Sequence, residues 1–376
     1  MSNNYILKSF IFKVLPIISI LLFSFSEIFS GPKFVIIGFI CIFPFFLNYL
    51  TTHTNKLDVY IFLICVVLGS LLNLISTSNG IGGTFLFLTT FPLALYCLKH
   101  LKFAYYLSAV VLVYNLIFIS KKIFIDFVNP EFIYENLGLS RNYPGFLLVV
   151  WTCFHSFTKY ITRSQVSIIL PILSLVVSFF LEGRASMAIL LFISLFSLYL
   201  RNSKTLFFFP LIVLIGIIRY WDNIIELFEL TRFATESFDT PRTAIWGAYF
   251  SSLDIVSLIF GLDTLSVPEL AAYGGNPHNA FLNFHYRMGI IGLLPLLYYI
   301  FKALRIYFKT HFYFILFLLL SLIGRFCFDS NLNTTYDFIF FAIIFYPILY
   351  NRTRGCIVGR NNESNKGLLN KVLSWL

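Results

Sequence analysis

Charged residues are scarce in this sequence, and their scarcity excludes an ordinary water-soluble globular protein. Asp, Glu, Lys and Arg make up only 12% of the chain, whereas 59% of the residues are hydrophobic and Phe alone occurs 47 times. The mean hydropathy is +0.85. One soluble core could not bury so much apolar surface. The composition therefore predicts a chain whose solvent is largely lipid.

Several chemical signatures are missing as well. No pair among the six cysteines has metal-ligand spacing, so we expect neither a disulfide framework nor zinc. No glycine-rich nucleotide loop of the Walker type and no DxD-like pair occurs in a predicted cytoplasmic loop, so nothing indicates a nucleotide donor. We therefore expect no cofactor and no metal.

Long apolar segments, by contrast, are abundant. About twenty helical residues cross the hydrocarbon core of a bilayer. The segments are continuously apolar rather than alternating, which favours helices over a closed β-barrel. The first could also be a signal peptide, but no A-x-A-like cleavage site follows it. We predict an all-α, polytopic transmembrane bundle of about 12 spans, at 10–29, 34–50, 58–77, 84–98, 103–120, 144–158, 166–182, 185–200, 205–219, 288–304, 310–328 and 336–350.

The distribution of charge orients this bundle. Lys and Arg concentrate in every second connection, whereas all acidic residues except Asp58 and Glu363 lie in or beside the others. Because positively charged short loops stay in the cytoplasm, both termini are predicted to be cytoplasmic. The pair Lys121 and Lys122 is an exception to this rule. The net positive charge thus indicates membrane orientation rather than nucleic-acid binding.

One polar stretch is much longer than the others. It covers about residues 220–287, between the ninth and tenth predicted spans, and the alternation places it outside the cytoplasm. We predict a single transmembrane domain over residues 1–350 that carries this large periplasmic loop. A basic cytoplasmic tail follows at 351–376.

Two histidines, His278 and His285, lie in this outer loop. Their spacing of seven residues puts both imidazoles on one face of a helix. Asn276 and Pro277 predict the helix start, with His278 in the first turn beside unpaired backbone N–H groups. Such a positive end disfavours imidazolium, so a neutral His278 could accept a proton from a hydroxyl nucleophile. In the alternative interpretation, this segment merely caps a helix and His285 is structural.

Arginines at the membrane edge are a second signal, because a guanidinium there needs a partner or an anionic ligand. Arg184 interrupts two apolar runs, Arg242 begins an amphipathic stretch, and Arg325 lies near the outer end of its span. A guanidinium can bind diphosphate oxygens bidentately without a metal. The alternative is a structural ion pair. Glu182 is such a partner for Arg184, and Asp329 follows Arg325 closely enough to be another.

The spacing around the first outer histidine resembles a known signature. His278-Asn279, nine residues, Gly289, two residues and Gly292 match the H-[N/S/Q]-x9-G-x2-G pattern of the O-antigen polymerase and ligase superfamily.

Two further segments are similar to that family. One is Gly-Arg-Ala-Ser at 183–186, and the other is Arg-Thr-Ala-Ile-Trp at 242–246, followed by Phe-Gly-Leu at 260–262. The resemblance covers residues 138–293 by motif and the whole chain by topology.

The resemblance implies a function. Family members transfer a glycan from undecaprenyl diphosphate to an acceptor hydroxyl at the periplasmic face of the bacterial inner membrane, without ATP or metal. By this resemblance, Arg184 and Arg242 would hold the diphosphate leaving group and His278 would be the general base. Supporting roles are assigned to Arg141, Asn279, His285 and Arg325. The implied partners are an undecaprenyl-diphosphate-linked oligosaccharide, membrane lipid and a polysaccharide chain-length regulator, with no nucleic acid.

The acceptor separates two interpretations within the family. The run Pro-His-Asn-Ala-Phe-Leu at 277–282 and the Phe-rich and Ile-rich composition favour a polymerase, which adds the chain to another lipid-linked repeat. A ligase would instead add the chain to lipid A core. Outside the family, a polysaccharide flippase predicts charges midway through several helices. A membrane scaffold without enzymatic activity predicts that His278→Ala leaves glycan length unchanged.

Overall fold

Helices make up all of the regular secondary structure in the part of the chain that the structure describes. The computed structural model describes residues 10–25, 32–52, 57–76, 80–128, 133, 142–181, 183–201, 242–327 and 336–350. We number the α-helices α1 (Leu15–Ser24), α2 (Pro32–Thr52), α3 (Leu57–Ser76), α4 (Gly80–Lys99), α5 (Leu101–Phe124), α6 (Tyr143–Arg163), α7 (Ile169–Phe180), α8 (Arg184–Arg201), α9 (Arg242–Ser251), α10 (Ile255–Phe260), α11 (Pro268–Ala271), α12 (Ala280–Lys309), α13 (Tyr313–Cys327) and α14 (Asp337–Tyr350). A π-helical turn, Phe10–Val14, leads into α1, and a 3-10 turn, Thr264–Ser266, precedes α11. The predicted all-α class is confirmed for these residues.

The helices coincide with the apolar segments expected from the sequence. Each predicted segment overlaps a described helix except the one at 205–219, which lies outside the described residues, as does the tail at 351–376. Within the described chain, 4 helical segments are long and apolar enough to cross a membrane: Lys33–Thr52, Leu101–Phe124, Arg184–Arg201 and Ala280–Lys309. Shorter apolar helices accompany them at Ile11–Ser24, Leu57–Asn73, Thr84–Lys99, Ile169–Phe180, Tyr313–Cys327 and Asp337–Tyr350. These apolar helices indicate a membrane protein.

The stretch expected to be a long outer loop contains short helices, and it ends earlier than expected. Residues 202–241 lie outside the described part, and residues 242–279 hold α9, α10, the 3-10 turn and α11. Helix α12 then begins at Ala280 rather than at residue 288, the start predicted for the tenth span. Its backbone is broken at Gly289, where φ is 59° and ψ is −174°. The apolar span expected from residue 288 therefore corresponds to the part of α12 that follows the break.

Helix α6 lies in the interior of the bundle. Every residue from Pro144 to Thr158 is buried, so neighbours surround this part of the helix on all sides. It packs against α5, α7, α8 and α13. Its Trp151 and Phe154 rings lie 6.0 and 5.8 Å from the Phe338 ring of α14. Edge-on aromatic packing of this kind holds the two helices together.

Helices α3 and α12 form a closely packed antiparallel pair. Near one end, Lys302 and Asp58 form an ion pair with an N–O distance of 2.5 Å. Further along, Gly69 faces the backbone of Met288 and Gly292 so closely that a Cβ on Gly69 would overlap the Met288 carbonyl oxygen. Small residues let helix backbones approach in a membrane, where apolar burial alone does not drive association. The packing of α3 against α12 therefore fixes the position of the α12 break along the long axis of the bundle.

The helix ends form two sets on opposite sides of the bundle. On one side, Tyr60 donates to the Leu50 carbonyl at 2.8 Å, and Tyr350 donates to the Leu98 carbonyl at 3.2 Å. On the other side, the Phe124 and Phe180 rings at the ends of α5 and α7 lie 4.8 Å apart, measured between ring centroids. The first side carries Lys13, Lys99, Lys102, Lys159, Arg163, Arg201, Lys302, Arg305 and Lys309, and Asp58 is the acidic residue there among those described. We call these the basic end and the opposite end.

The break in α12 depends on glycine, and we expect Gly289→Ala to destabilise the protein. A Cβ at residue 289 would overlap the Ile259 carbonyl oxygen, and its φ of +59° disfavours any L side chain. The expected loss is about 1–3 kcal/mol, seen as a lower melting temperature of the detergent-solubilised protein.

The matched control is Gly324→Ala in α13, because a Cβ there meets nothing within 4 Å. That variant should unfold at or slightly above the temperature of the parent protein. Equal melting of both variants would contradict the role given to Gly289.

Candidate functional site

His278 lies in a sharp turn just before α12. Its φ is 49°, in the left-handed region that residues other than glycine seldom adopt. The Asn276 side chain accepts a hydrogen bond from the His278 backbone N–H at 2.8 Å, which holds the turn. The Tyr273 ring stands edge-on to the imidazole with 5.8 Å between centroids. A strained, half-exposed histidine is typical of a functional position rather than of the interior of a helix.

The helix cap differs from the one predicted. Asn279, not Asn276, is the N-cap of α12, and its side-chain oxygen accepts from the backbone N–H groups of Phe281 and Leu282 at 2.9 and 3.2 Å. The helix therefore begins two residues after His278, which is not in its first turn. Two of the N–H groups expected to be unpaired are capped. The helix terminus consequently contributes less to the surroundings of His278 than the sequence suggested.

Arg242 is brought near this turn through α9. It is the first residue of that helix, half-buried, and lies one turn before Trp246 on the same face. The Trp246 indole N–H donates to the carbonyl of Pro277 at 2.9 Å, directly before His278. The helix that carries Arg242 is thus hydrogen-bonded to the segment that carries the histidine.

His285 has a structural environment. Its Nδ1 lies 2.6 Å from the hydroxyl of Tyr249 and its Nε2 lies 2.9 Å from the carbonyl of Leu258. Burial raises the pKa of Tyr249, so the phenol stays protonated and donates. Nδ1 then accepts, and Nε2–H donates to Leu258. Both ring nitrogens join α9 and α10 to α12, as the structural alternative expects.

Asn73 of α3 contacts the same region from within the bundle. We call α9, α10 and α11 the loop helices. Asn73 is buried, and its side-chain amide donates to the carbonyls of Phe260 at 2.6 Å and of Tyr286 at 2.8 Å. Tyr286 lies just before the break, where helical hydrogen bonding is interrupted. Gly261, with a φ of 100°, is so close to the Tyr286 carbonyl that a Cβ would overlap it. The loop helices therefore rest against the end of α3 and the break in α12.

Arg325 lies at the same end of the bundle. Its side chain is only 3% exposed, its Nη2 donates to the carbonyl of Asn142 at 3.4 Å, and its guanidinium lies 5.8 Å from the Phe146 ring. Two residues further along, the carbonyl of Cys327 accepts from the Asn279 amide at 3.2 Å. This contact joins the end of α13 to the cap of the His278 turn.

Arg184 belongs to the adjoining part of this end. It is the first residue of α8 and is half-buried. Two residues after Arg184, Ser186 packs against Gly145 of α6, where an added Cβ would lie 2.8 Å from the serine oxygen. Gly145 lies close in sequence to Asn142, the partner of Arg325. Arg184, Arg325 and the His278 turn are thus connected through the starts of α8, α6 and α12.

The structure therefore places His278, Asn279, Arg184, Arg242 and Arg325 at the end of the bundle opposite the basic end. His285 differs from these residues because both of its ring nitrogens are hydrogen-bonded within the protein. Arg141 lies outside the described residues. Among the residues described, no group of three or more His, Cys, Asp or Glu side chains is arranged to hold a metal ion.

Sequence reasoning gave no role to several residues that build this end. Trp246, Tyr249 and Asn73 hold the loop helices in place, as described above. Arg287 also lies here, and its Nε donates to the hydroxyl of Tyr286 at 2.7 Å. Arg287 stands two residues before the Gly289 break, inside the histidine-to-glycine motif. A search for arginines between the two motif ends would have found it.

The Tyr249 hydroxyl should stabilise the loop helices, and Tyr249→Phe tests this. Losing a hydrogen bond to a buried imidazole nitrogen costs about 1–3 kcal/mol. Amide hydrogen exchange in α9 and in the part of α12 before Gly289 should therefore become faster, while the rest of the bundle is unchanged. Tyr298→Phe is the control, because that side chain is 56% exposed. Unaltered exchange in Tyr249→Phe would refute the assignment.

Comparison with known proteins assigns no family. No protein family, curated protein or solved structure matches the chain.

Proposed function

We propose that this chain is a metal-independent, lipid-linked glycosyltransferase of the O-antigen polymerase type. It transfers the growing glycan from undecaprenyl diphosphate to a hydroxyl of another lipid-linked repeat unit. The reaction takes place at the periplasmic face of the bacterial inner membrane. Both termini of the chain are cytoplasmic.

One observation carries the proposal. A half-exposed histidine in a strained turn lies at the same end of the bundle as three arginines from three other helices. Arginine suits a diphosphate because its planar fork donates bidentately and remains charged. A half-exposed histidine outside the helix suits proton transfer from an acceptor hydroxyl. The combination fits group transfer from a diphosphate better than either feature alone.

The chemistry follows from these groups. The acceptor hydroxyl oxygen bonds to the anomeric carbon of the donor glycan, and the bond from that carbon to the diphosphate oxygen breaks. His278 takes the hydroxyl proton. Arg184 and Arg242 stabilise the negative charge that stays on undecaprenyl diphosphate, and this electrostatic stabilisation supplies much of the catalysis.

The charge distribution supports the orientation. The basic end carries most of the described Lys and Arg residues near helix ends, and such ends face the cytoplasm. The His278 turn lies at the opposite end and so faces the periplasm. A lipid-linked donor reaches a site at that height without leaving the bilayer.

We expect His278→Asn to abolish most of the transfer. Asn tolerates a positive φ, so the turn survives while the general base is lost. The rate of polymer formation from purified lipid-linked repeats should fall by about 10²–10⁴-fold. His311→Asn is the matched control, because His311 also has a positive φ, 58°, but lies at the basic end. Normal polymerisation by His278→Asn would end the proposal.

We expect Arg242→Lys to weaken use of the donor. The charge is kept, but the bidentate fork is lost. A charge-assisted hydrogen bond contributes about 1.5–3 kcal/mol, so kcat/KM for the lipid-linked donor should fall by roughly 10–100-fold. Arg305→Lys at the basic end is the control and should behave as the parent. A loss that is the same for both variants would argue against a diphosphate at Arg242.

Gel patterns of lipopolysaccharide from a deletion strain separate the two acceptors. A ladder collapsed to core plus one repeat supports the polymerase. Bare core with intact lipid-linked polymer would instead identify a ligase. Complementation by the His278→Asn variant should reproduce the deletion pattern, with the protein still present in the membrane.

A further inference from the structure

Helix α10 contacts the bundle through backbone groups at its C-terminal end. Three successive carbonyls at its C-terminal end face the protein. The Leu258 carbonyl accepts from His285, the Ile259 carbonyl abuts Gly289, and the Phe260 carbonyl accepts from Asn73. None of the residues of α10 is buried.

Three side chains of α10 are nevertheless both apolar and exposed, whereas those of Ser257, Ile259 and Phe260 are half-buried. Ile255 is 74% exposed, Val256 48% and Leu258 39%. Phe250 at the end of α9 adds another ring that is 59% exposed. Adjacent exposed aliphatic and aromatic side chains of this kind mark an interaction surface, because each costs free energy in water.

The height of α10 identifies what covers this surface. Helix α10 touches α12 at Gly289, and at 1.5 Å per residue Gly289 lies about 30 Å from Lys309 at the basic end. That distance is the thickness of the hydrocarbon core of a bilayer. With Lys309 at one boundary of the core, α10 lies at the other.

Exposed apolar residues continue from α10 towards the basic end. They lie on the two helices that α10 contacts, at Leu68 and Leu71 of α3 and at Leu294 and Leu297 of α12, with exposures from 41 to 55%. The exposed apolar side chains of α10 therefore lie next to two helices that themselves carry exposed apolar side chains of a kind that suits lipid.

The other end of α10 is polar. Asp254 caps the helix by accepting from the Ser257 backbone N–H at 2.7 Å and from its hydroxyl at 2.6 Å. These hydrogen bonds lower the pKa of Asp254, so the exposed carboxylate stays charged. A charged cap beside an apolar body is the pattern of a segment that lies at a lipid–water boundary.

We propose that α10 is an interfacial helix whose Ile255, Val256 and Leu258 side chains are immersed in membrane lipid at the level of Gly289. Since α10 binds His285 and abuts Gly289 through its backbone, its contact with lipid sets the height of the adjoining His278 turn above the hydrocarbon core. This inference holds for any reaction at that turn.

Spin labels on the full chain in phosphatidylcholine vesicles test the proposal. Nitroxides are attached to Ile255→Cys and Val256→Cys, and to Ala272→Cys of the exposed turn after α11 as the control, in a background without the native cysteines. Collisions with oxygen, which concentrates in lipid, should exceed those with a water-soluble nickel chelate at residues 255 and 256. The opposite order is expected at residue 272.

Two results would overturn the inference. Nickel accessibility at residues 255 and 256 equal to that at residue 272 would mean that α10 faces water. Exclusion of both reagents, with dipolar coupling that grows with protein density, would mean that a second copy of the chain covers it.

A second measurement applies where removal of the cysteines prevents folding. Ile255→Trp and Ala272→Trp are made in the native background, and the protein is placed in vesicles with brominated lipid. The fluorescence added by the new Trp should be quenched at residue 255 and not at residue 272. Equal quenching at the two positions would contradict an interfacial α10.

Discussion

Two hydrogen bonds from the buried side chain of Asn73 hold the opposite end of this bundle together. A backbone break at membrane depth leaves carbonyl groups without helical partners, and each such group costs several kcal/mol in lipid. Asn73 donates to Tyr286 before the break and to Phe260 at the end of α10. The second of these bonds anchors α10, and the first satisfies a carbonyl beside the break at Gly289, which helps the break to be tolerated. Without the break, the segment before Gly289 would continue straight along the axis of α12 and could not contact the loop helices.

The position of His278 follows from that arrangement. The part of α12 before the break is held by Asn73 from α3 and by Tyr249 from α9, while Asn279 contacts the end of α13. These contacts come from separate helices and restrain the turn from several directions. A histidine with a left-handed backbone conformation persists only where its surroundings determine that conformation in this way. The rigid support therefore explains how one strained residue can stay poised at a surface.

The sequence predicted the helices better than it predicted their ends. Continuous apolar runs located every described helix except α9, α10 and α11, because length and hydropathy decide a crossing, whereas these three short helices lie in the stretch expected to be a loop. The helix start at residue 280 was missed because Asn276 and Asn279 are both residues that can cap a helix. The contacts that distinguish them, of Asn279 with Cys327 and of Pro277 with Trp246, join residues far apart in the sequence. Asn73 was missed for a related reason. A single amide in an apolar run has no local signal, and its partners lie far away in the sequence.

The distribution of buried charge bears on the choice between a transporter and a surface site. A transporter would place ionisable groups midway along its helices, where substrate passes. Among the described residues, the buried charged side chains are Arg325 and Asp337, and each lies within one turn of a helix end at the side of the His278 turn. The Asp58–Lys302 pair lies at the basic end. Buried charge at this end, beside a broken helix, is what the proposed substrate would need, since its anionic headgroup would stay at the lipid boundary while its glycan extends into water.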